Sequence, residues 1–387
     1  MEKKYLRTPS DTRDSLNIFS DPHRRSSGSQ ESESFIFLVL DCFSYTAGEK
    51  VTGEVLLNVS EPIPKSTMKF QSRGIEEVHI FSSKDKSRII AEDIKEIFIL
   101  DEVVKSWEDE ISIGQYVFPF NFKIPNFSPA TFYYSGEDIS GNYVRAEVFY
   151  HVSVKLLIDG DESKLSHSRI VCIKNMETLE KPGPSIEAIA NITGCCFTKK
   201  GTTSFKLTVG NTDHCQVEGQ VHYKLCPNNE YCKSPINYVV GQVLLDINVR
   251  TRNGDFKILK TISETERATW ISAFTSLVYE RDFEYIADLK VSSEELNPSS
   301  NEGSLIKCEY YVEMLVYYDI SFKKNPIVIK LPFHVNPKIT YRKEEPKLPV
   351  LWEPEESSIY NFIVEIRESV REGYANDMDF TVPTKIN

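Results

Sequence analysis

From Phe35 onward, short apolar runs alternate with turn chemistry about every ten residues. Val148, Tyr150, Val152, Val154 and Leu156 share one parity; Glu147, His151, Ser153 and Lys155 share the other. A period of two places the first set on one face of a strand and the second on the opposite face. The cleanest case is Val217, Gly219, Val221, Tyr223 and Leu225, alternating with Gln216, Glu218, Gln220, His222 and Lys224. Tyr310, Val312, Met314, Val316 and Tyr318 repeat the pattern, and the series closes at Ile329–Phe333. The chain is rich in β-branched and aromatic residues, which suit a pleated, half-buried surface. An all-β fold of antiparallel sheets follows, each with one face in a core.

The alternation breaks at Lys181-Pro182-Gly183-Pro184, where two prolines around a glycine stop a strand and suit a linker. The expected architecture is two tandem β-sandwiches, over residues 34–178 and 179–340. Asp159-Gly160-Asp161 reads as a hairpin turn within the first; a calcium loop needs more oxygen ligands at set spacing. Residues 1–33 are polar and balanced in charge, the composition of a disordered arm, and Arg24-Arg25-Ser26-Ser27 in it resembles a basophilic kinase site.

The tail, residues 341–387, carries a different period. Ile359, Phe362, Ile363, Ile366 and Val370 fall at i, i+3, i+4, i+7 and i+11, with Glu365, Arg367, Glu368 and Arg371 off that stripe. This predicts an amphipathic helix over about 358–372, capped by Ser357 or Ser358 and ended at Gly373. Such a helix either packs on its own second sandwich or is a detachable segment that binds a partner or holds the two domains together.

A net charge of −12 argues against a dedicated nucleic-acid binder, which needs a basic field. No apolar run reaches the length of a membrane span, and the first residues lack a signal-peptide core. The expectation is a cytoplasmic protein, with contact at plasma membrane or endosomes only peripheral. The eight cysteines are then reduced thiols, and the sequons at Asn58 and Asn191 are chance matches. Cys195, Cys196, His214, Cys215, His222, Cys226 and Cys232 crowd together, but their spacing matches no standard zinc site. Phosphate-binding loops, dinucleotide fingerprints, nucleophile elbows and His-Glu-x-x-His are missing from the sequence, so no enzyme and no cofactor is expected.

Two stretches carry a family resemblance. The first holds Tyr45, Gly48, Glu49, Val51 and Gly53; after it comes a strand from Met68 to Gly74 and on to Ile80. The second is Gly114, Tyr116, Phe118, Pro119, Phe120, Phe122 and Pro125, continuing to Pro129, Thr131 and Phe132. In this order they resemble the amino-terminal domain of arrestin-domain proteins, most closely the α-arrestins. Gly141, Val144 and Tyr150 match the next strand more loosely. Weaker similarities follow at Cys195, Cys196 and Gly201, and at Leu305, Ile306, Tyr310, Tyr311, Leu331 and Pro332, so the likeness spans roughly 35–335. The physical reading is architectural. Gly48 suits a turn with positive φ, Gly53 a close backbone approach, the prolines edges or bulges, and the three phenylalanines one core face.

The resemblance implies a non-enzymatic adaptor that binds cytoplasmic segments of membrane proteins and links them to endocytic or sorting machinery. An arrestin-fold coat subunit of the retromer type is the alternative it leaves open. The Pro-Pro-x-Tyr motif that recruits WW-domain ligases is missing, and the first strand, Phe35–Leu40, has no lysine for phosphate sensing of the visual-arrestin kind.

Overall fold

The computed structural model describes residues 33–42, 44–158, 162–174, 183–194, 198–210, 219–267, 270–276, 283–289, 298–320, 325–336, 348–349 and 351–366. Every regular element named among them is a strand, and no helix is long and apolar enough to cross a membrane. The N-terminal arm and the Asp159-Gly160-Asp161 turn fall outside these residues, as do Lys181 and Pro182 of the linker.

The first sandwich is built from β1 (Phe35–Leu40), β2 (Ser44–Thr46), β3 (Lys50–Val59), β4 (Ser66–Phe81), β5 (Ile89–Trp107), β6 (Gly114–Lys123), β7 (Phe132–Glu137), β8 (Tyr143–Ile158) and β9 (Glu162–Lys174). One sheet runs β1-β3-β6; the other runs β2-β9-β8-β4-β5, with β7 also on β8. Parity decides the faces, as the sequence implies. On β8, Val148, Tyr150, Val152, Val154 and Leu156 are buried, while His151 and Lys155 point away from the core. On β4, Met68, Phe70, Val78 and Ile80 are buried in alternation with partly exposed residues.

The second sandwich pairs β10 (Ser185–Thr193), β11 (Lys199–Val209), β12 (Gln220–Asn228) and β15 (Glu284–Asp288) in one sheet. The other holds β13 (Ile236–Thr251), β14 (Gly254–Arg267), β16 (Ile306–Tyr318) and β17 (Ile327–Phe333) in the order β14-β13-β16-β17. Val221, Tyr223 and Leu225 are buried on β12, and Tyr310, Val312, Met314 and Val316 on β16.

Loops of the second sandwich grip the first through carboxylates. Glu76, on the inner face of β4 and only 1% exposed, accepts from the amides of Ser304 and Leu305 and from the Ser304 hydroxyl at 2.6 Å. Asp93 on β5 accepts from the Arg252 amide at 2.7 Å and pairs with its guanidinium at 3.2 Å. These bonds satisfy buried acceptors that would otherwise cost stability.

The tail departs from expectation. Residues 355–366 are extended, not helical: β18 (Glu355–Glu356), β19 (Tyr360–Asn361) and β20 (Glu365–Ile366). β18 and β19 add in parallel to β6, and β20 adds antiparallel to β5. Ile359, Phe362, Ile363 and Ile366 therefore do not share a face. Phe362 packs inward while Ile359, Ile363 and Ile366 are exposed. Val370 lies outside the described residues. The physical reason is tertiary. Two sheet edges with unmet backbone groups outweigh the few tenths of a kcal/mol per residue by which helix propensity separates most residue types.

Candidate functional site

The motif strand β6 is also the strand that receives the tail. Its core face carries Phe118, Phe120 and Phe122, all buried. On its other backbone edge, the Val117 carbonyl accepts from the Ser357 amide at 3.0 Å and the Asn121 carbonyl from the Phe362 amide at 2.8 Å. Backbone groups of alternate residues face the same edge, so Pro119 turns its nitrogen, which has no hydrogen, toward the tail. The tail breaks its pairing there. Glu356 lies opposite Val117 and Tyr360 opposite Phe120, so the tail carries one residue more than β6 across the proline. An edge strand with a bulge opposite proline is the arrangement such a residue tolerates.

Side chains reinforce the backbone. The Gln115 amide donates to the Leu351 carbonyl at 2.9 Å and its oxygen accepts from the Glu353 amide at 2.7 Å. Asn121 donates to the Asn361 side chain at 2.8 Å. Phe362 enters the slot between the two sheets, stacked on Phe70 with centroids 4.8 Å apart and tilted against Phe120 at 6.4 Å. Tyr360 lies 6.5 Å from Phe118, and Val364 packs on the same core. Trp352 stacks on Phe35 of β1 at 6.2 Å. The outward face keeps Ile359 and Ile363 in solvent, Ile363 at 86% exposure.

The opposite edge of this sheet is closed by side chains. The Leu38 amide of β1 donates to Nδ1 of His167 at 3.2 Å, and the Leu38 carbonyl accepts from Arg169 Nε at 3.4 Å. The Phe37 ring sits 4.2 Å from His167 and 4.9 Å from the Arg169 guanidinium. A strand cannot add at Leu38 while these bonds hold.

The remaining motif residues frame the site. Gly48 has φ 87°, in the turn joining β2 to β3. At Gly53 an added Cβ would lie 2.3 Å from the Val39 carbonyl and 2.8 Å from the Phe120 ring. Tyr45 is buried and its hydroxyl donates to the Cys42 carbonyl at 2.7 Å and to the Asp41 carboxylate. Burial, then the Asp41 bond, pushes its ionisation far above the usual phenol range. Val51 and Phe132 are core residues. Gly74 lies under the Tyr150 and Phe98 rings, and the Tyr150 hydroxyl donates to the Pro129 carbonyl at 2.7 Å. Gly114 opens β6, with the Tyr116 ring beside it; Pro125 accepts from the Ser128 amide at 3.2 Å. The arrangement holds backbone edges and apolar slots, the equipment of strand addition.

Of the cysteine–histidine group, Cys195, Cys196, His214 and Cys215 fall outside the described residues. Among the described ones no three candidate metal ligands come together. Gln115, Asn121, Trp352, Tyr360 and Val364 escaped the sequence reading. The signal for the last two was Tyr360, Phe362 and Val364 at a spacing of two, hidden beneath the helical stripe.

Comparison with known families agrees with this geometry. Residues 40–178 match the family model of the arrestin (or S-antigen) N-terminal domain. The comparison with curated proteins gives no match. The matched residues take in nearly all of the first sandwich, including β6, so that this part of the chain is similar to an arrestin N-terminal domain.

Proposed function

We propose that this protein is a non-enzymatic adaptor of the α-arrestin kind, binding cytoplasmic segments of membrane proteins and linking them to endocytic or sorting machinery. The observation that carries the reading is the β6 edge with an extended peptide already seated on it. That seat offers backbone bonds for affinity and an aromatic slot for selection, the two requirements of recognition by strand addition. The similarity of residues 40–178 to an arrestin N-terminal domain supports this functional class. The tail is then a built-in occupant, and a partner segment that uses this edge displaces it. The site of action is the cytoplasmic face of plasma membrane or endosomes, with peripheral attachment.

The test is affinity capture from detergent-solubilised membranes, comparing the full chain with a version ending at Arg342. The reading expects receptors or transporters with ubiquitin or clathrin machinery, and more of them on the shortened bait. One dominant, salt-stable helical scaffold in their place would support a retromer-type coat subunit. Recovery of neither class would remove the adaptor reading.

A further inference from the structure

The outer face of the β5-β4-β8-β9 sheet carries a charge arrangement that the fold does not require. β4 and β8 pair with Lys69 directly opposite Lys155 and Arg73 directly opposite His151, and Gln71 opposite Ser153 between them. All lie on the parity that points away from the core. The flanking positions are Val103 and Ile99 on β5, and Ser166 and Ile170 on β9. Among the described residues Lys69, Arg73 and Lys155 enter no ion pair. On β5 the Asp101 carboxylate, opposite Gln71, accepts from the Gln71 amide at 3.1 Å, and Glu365 of the tail pairs in register with Ile99.

The other half of the same face behaves differently. Arg145 meets Glu147 at 2.6 Å, and His79 meets Glu77 at 2.5 Å and Glu92 at 3.7 Å. There each basic side chain faces a carboxylate; around Lys69 and Lys155 like charges face each other. Like charges directly across a strand pair destabilise a sheet. Burial first, then the Arg73 and Lys155 charges, hold the His151 imidazole below its ordinary pKa. The imidazole therefore senses both of these cations.

The shape of the patch selects among anions. Four residue steps along β4 make it about 13 Å long, and one strand spacing makes it about 4.8 Å wide. Same-side side chains of an extended peptide recur at about 6.7 Å, so carboxylates at i, i+2 and i+4 span its length. A single headgroup phosphate cluster meets only one pair of cations.

We propose that Lys69, Arg73, His151 and Lys155 form a docking face for an extended acidic segment of a partner protein. This face lies on the sheet opposite β6 and goes beyond the edge-binding reading, since it does not require the tail to leave.

The test measures a labelled peptide of alternating Glu and Ser against the full chain by fluorescence anisotropy. The chain binds it, and binding weakens with added salt. Lys155→Glu weakens it roughly tenfold, since one repulsive contact replaces an attractive one. The same substitution places Glu opposite Lys69 and raises Tm by roughly 1–2 °C, so lost binding is separable from lost folding. Lys69→Gln/Lys155→Gln loses binding without inserting a negative charge, and Lys307→Glu on the second sandwich leaves it unchanged. Bound peptide moves the His151 imidazole titration to higher pH. Equal binding by the variants, no binding at all, or capture only by vesicles containing phosphatidylinositol bisphosphate would each overturn the proposal; the last would make the face a lipid site. Failure here leaves the edge reading intact, because that depends on β6 and the tail.

Discussion

At Gly53 the β3 backbone passes so close to β1 that any side chain meets the Val39 carbonyl and the Phe120 ring. Gly53→Ala should therefore destabilise the first sandwich by about 1–3 kcal/mol, the usual cost of overpacking, seen as a lower urea midpoint. A midpoint within error of the parent would mean that β1 and β3 can part without penalty. His151 offers a second residue-scale prediction. Its folded pKa lies below the ordinary value, so the unfolded chain binds the proton more tightly. Stability is then present above the ordinary imidazole range and is lost as pH falls through the window down to the lowered value. The urea midpoint should drop as pH falls below the ordinary imidazole value of about 6.5, and His151→Gln should flatten that part of the profile. An unchanged slope in the variant would assign the drop to other groups. The residue types were legible from sequence, since parity alone turned His151 and Lys155 outward. Their pairing with Arg73 and Lys69 was not, because strand register depends on partners far along the chain.

At the scale of elements, alternation gave the right class wherever one face of a strand met a core, as on β8, β12 and β16. The tail failed because two periods coexist in it. Ile359, Phe362, Ile363 and Ile366 fit a helix, while Tyr360, Phe362 and Val364 fit a strand. Local preference could not choose between them. The open edges of β6 and β5 did, with the slot beside Phe70 and Phe120 that takes the Phe362 ring. The role of Pro119 was similarly half visible. Its place at an edge follows from its missing donor, but the strand that lies against it does not. Phe362 anchors the tail in that slot. Phe362→Ala should weaken tail docking by about 1–3 kcal/mol, through lost apolar burial and ring contact. Faster amide hydrogen exchange at Ser357 and at the backbone amide of position 362 should report it, with the β8 and β16 cores unaffected. Unaltered exchange at those two amides would show that the backbone bonds alone retain the tail.

At the scale of the whole molecule, two sandwiches are joined by carboxylate grips at Glu76 and Asp93, and one edge of the first is covered by the chain's own end. The arrestin resemblance of the first sandwich was legible because its motif residues are architectural. Gly48 and Gly53 serve tight turns and close approaches, and Phe118, Phe120 and Phe122 fill one core. Partner choice was not legible, because it resides in edges and surface charges that exist only once the strands pair. On the proposed function, the β6 edge is a general acceptor for extended segments and the tail is its resident ligand. The most direct measurement titrates a labelled peptide of residues 351–366 into the version ending at Arg342 and into the full chain. Saturable binding to the shortened protein, loss of that binding with the Phe362→Ala peptide, and much weaker binding to the full chain are expected. Equal binding to both proteins, or none to the shortened one, would contradict that role of the tail.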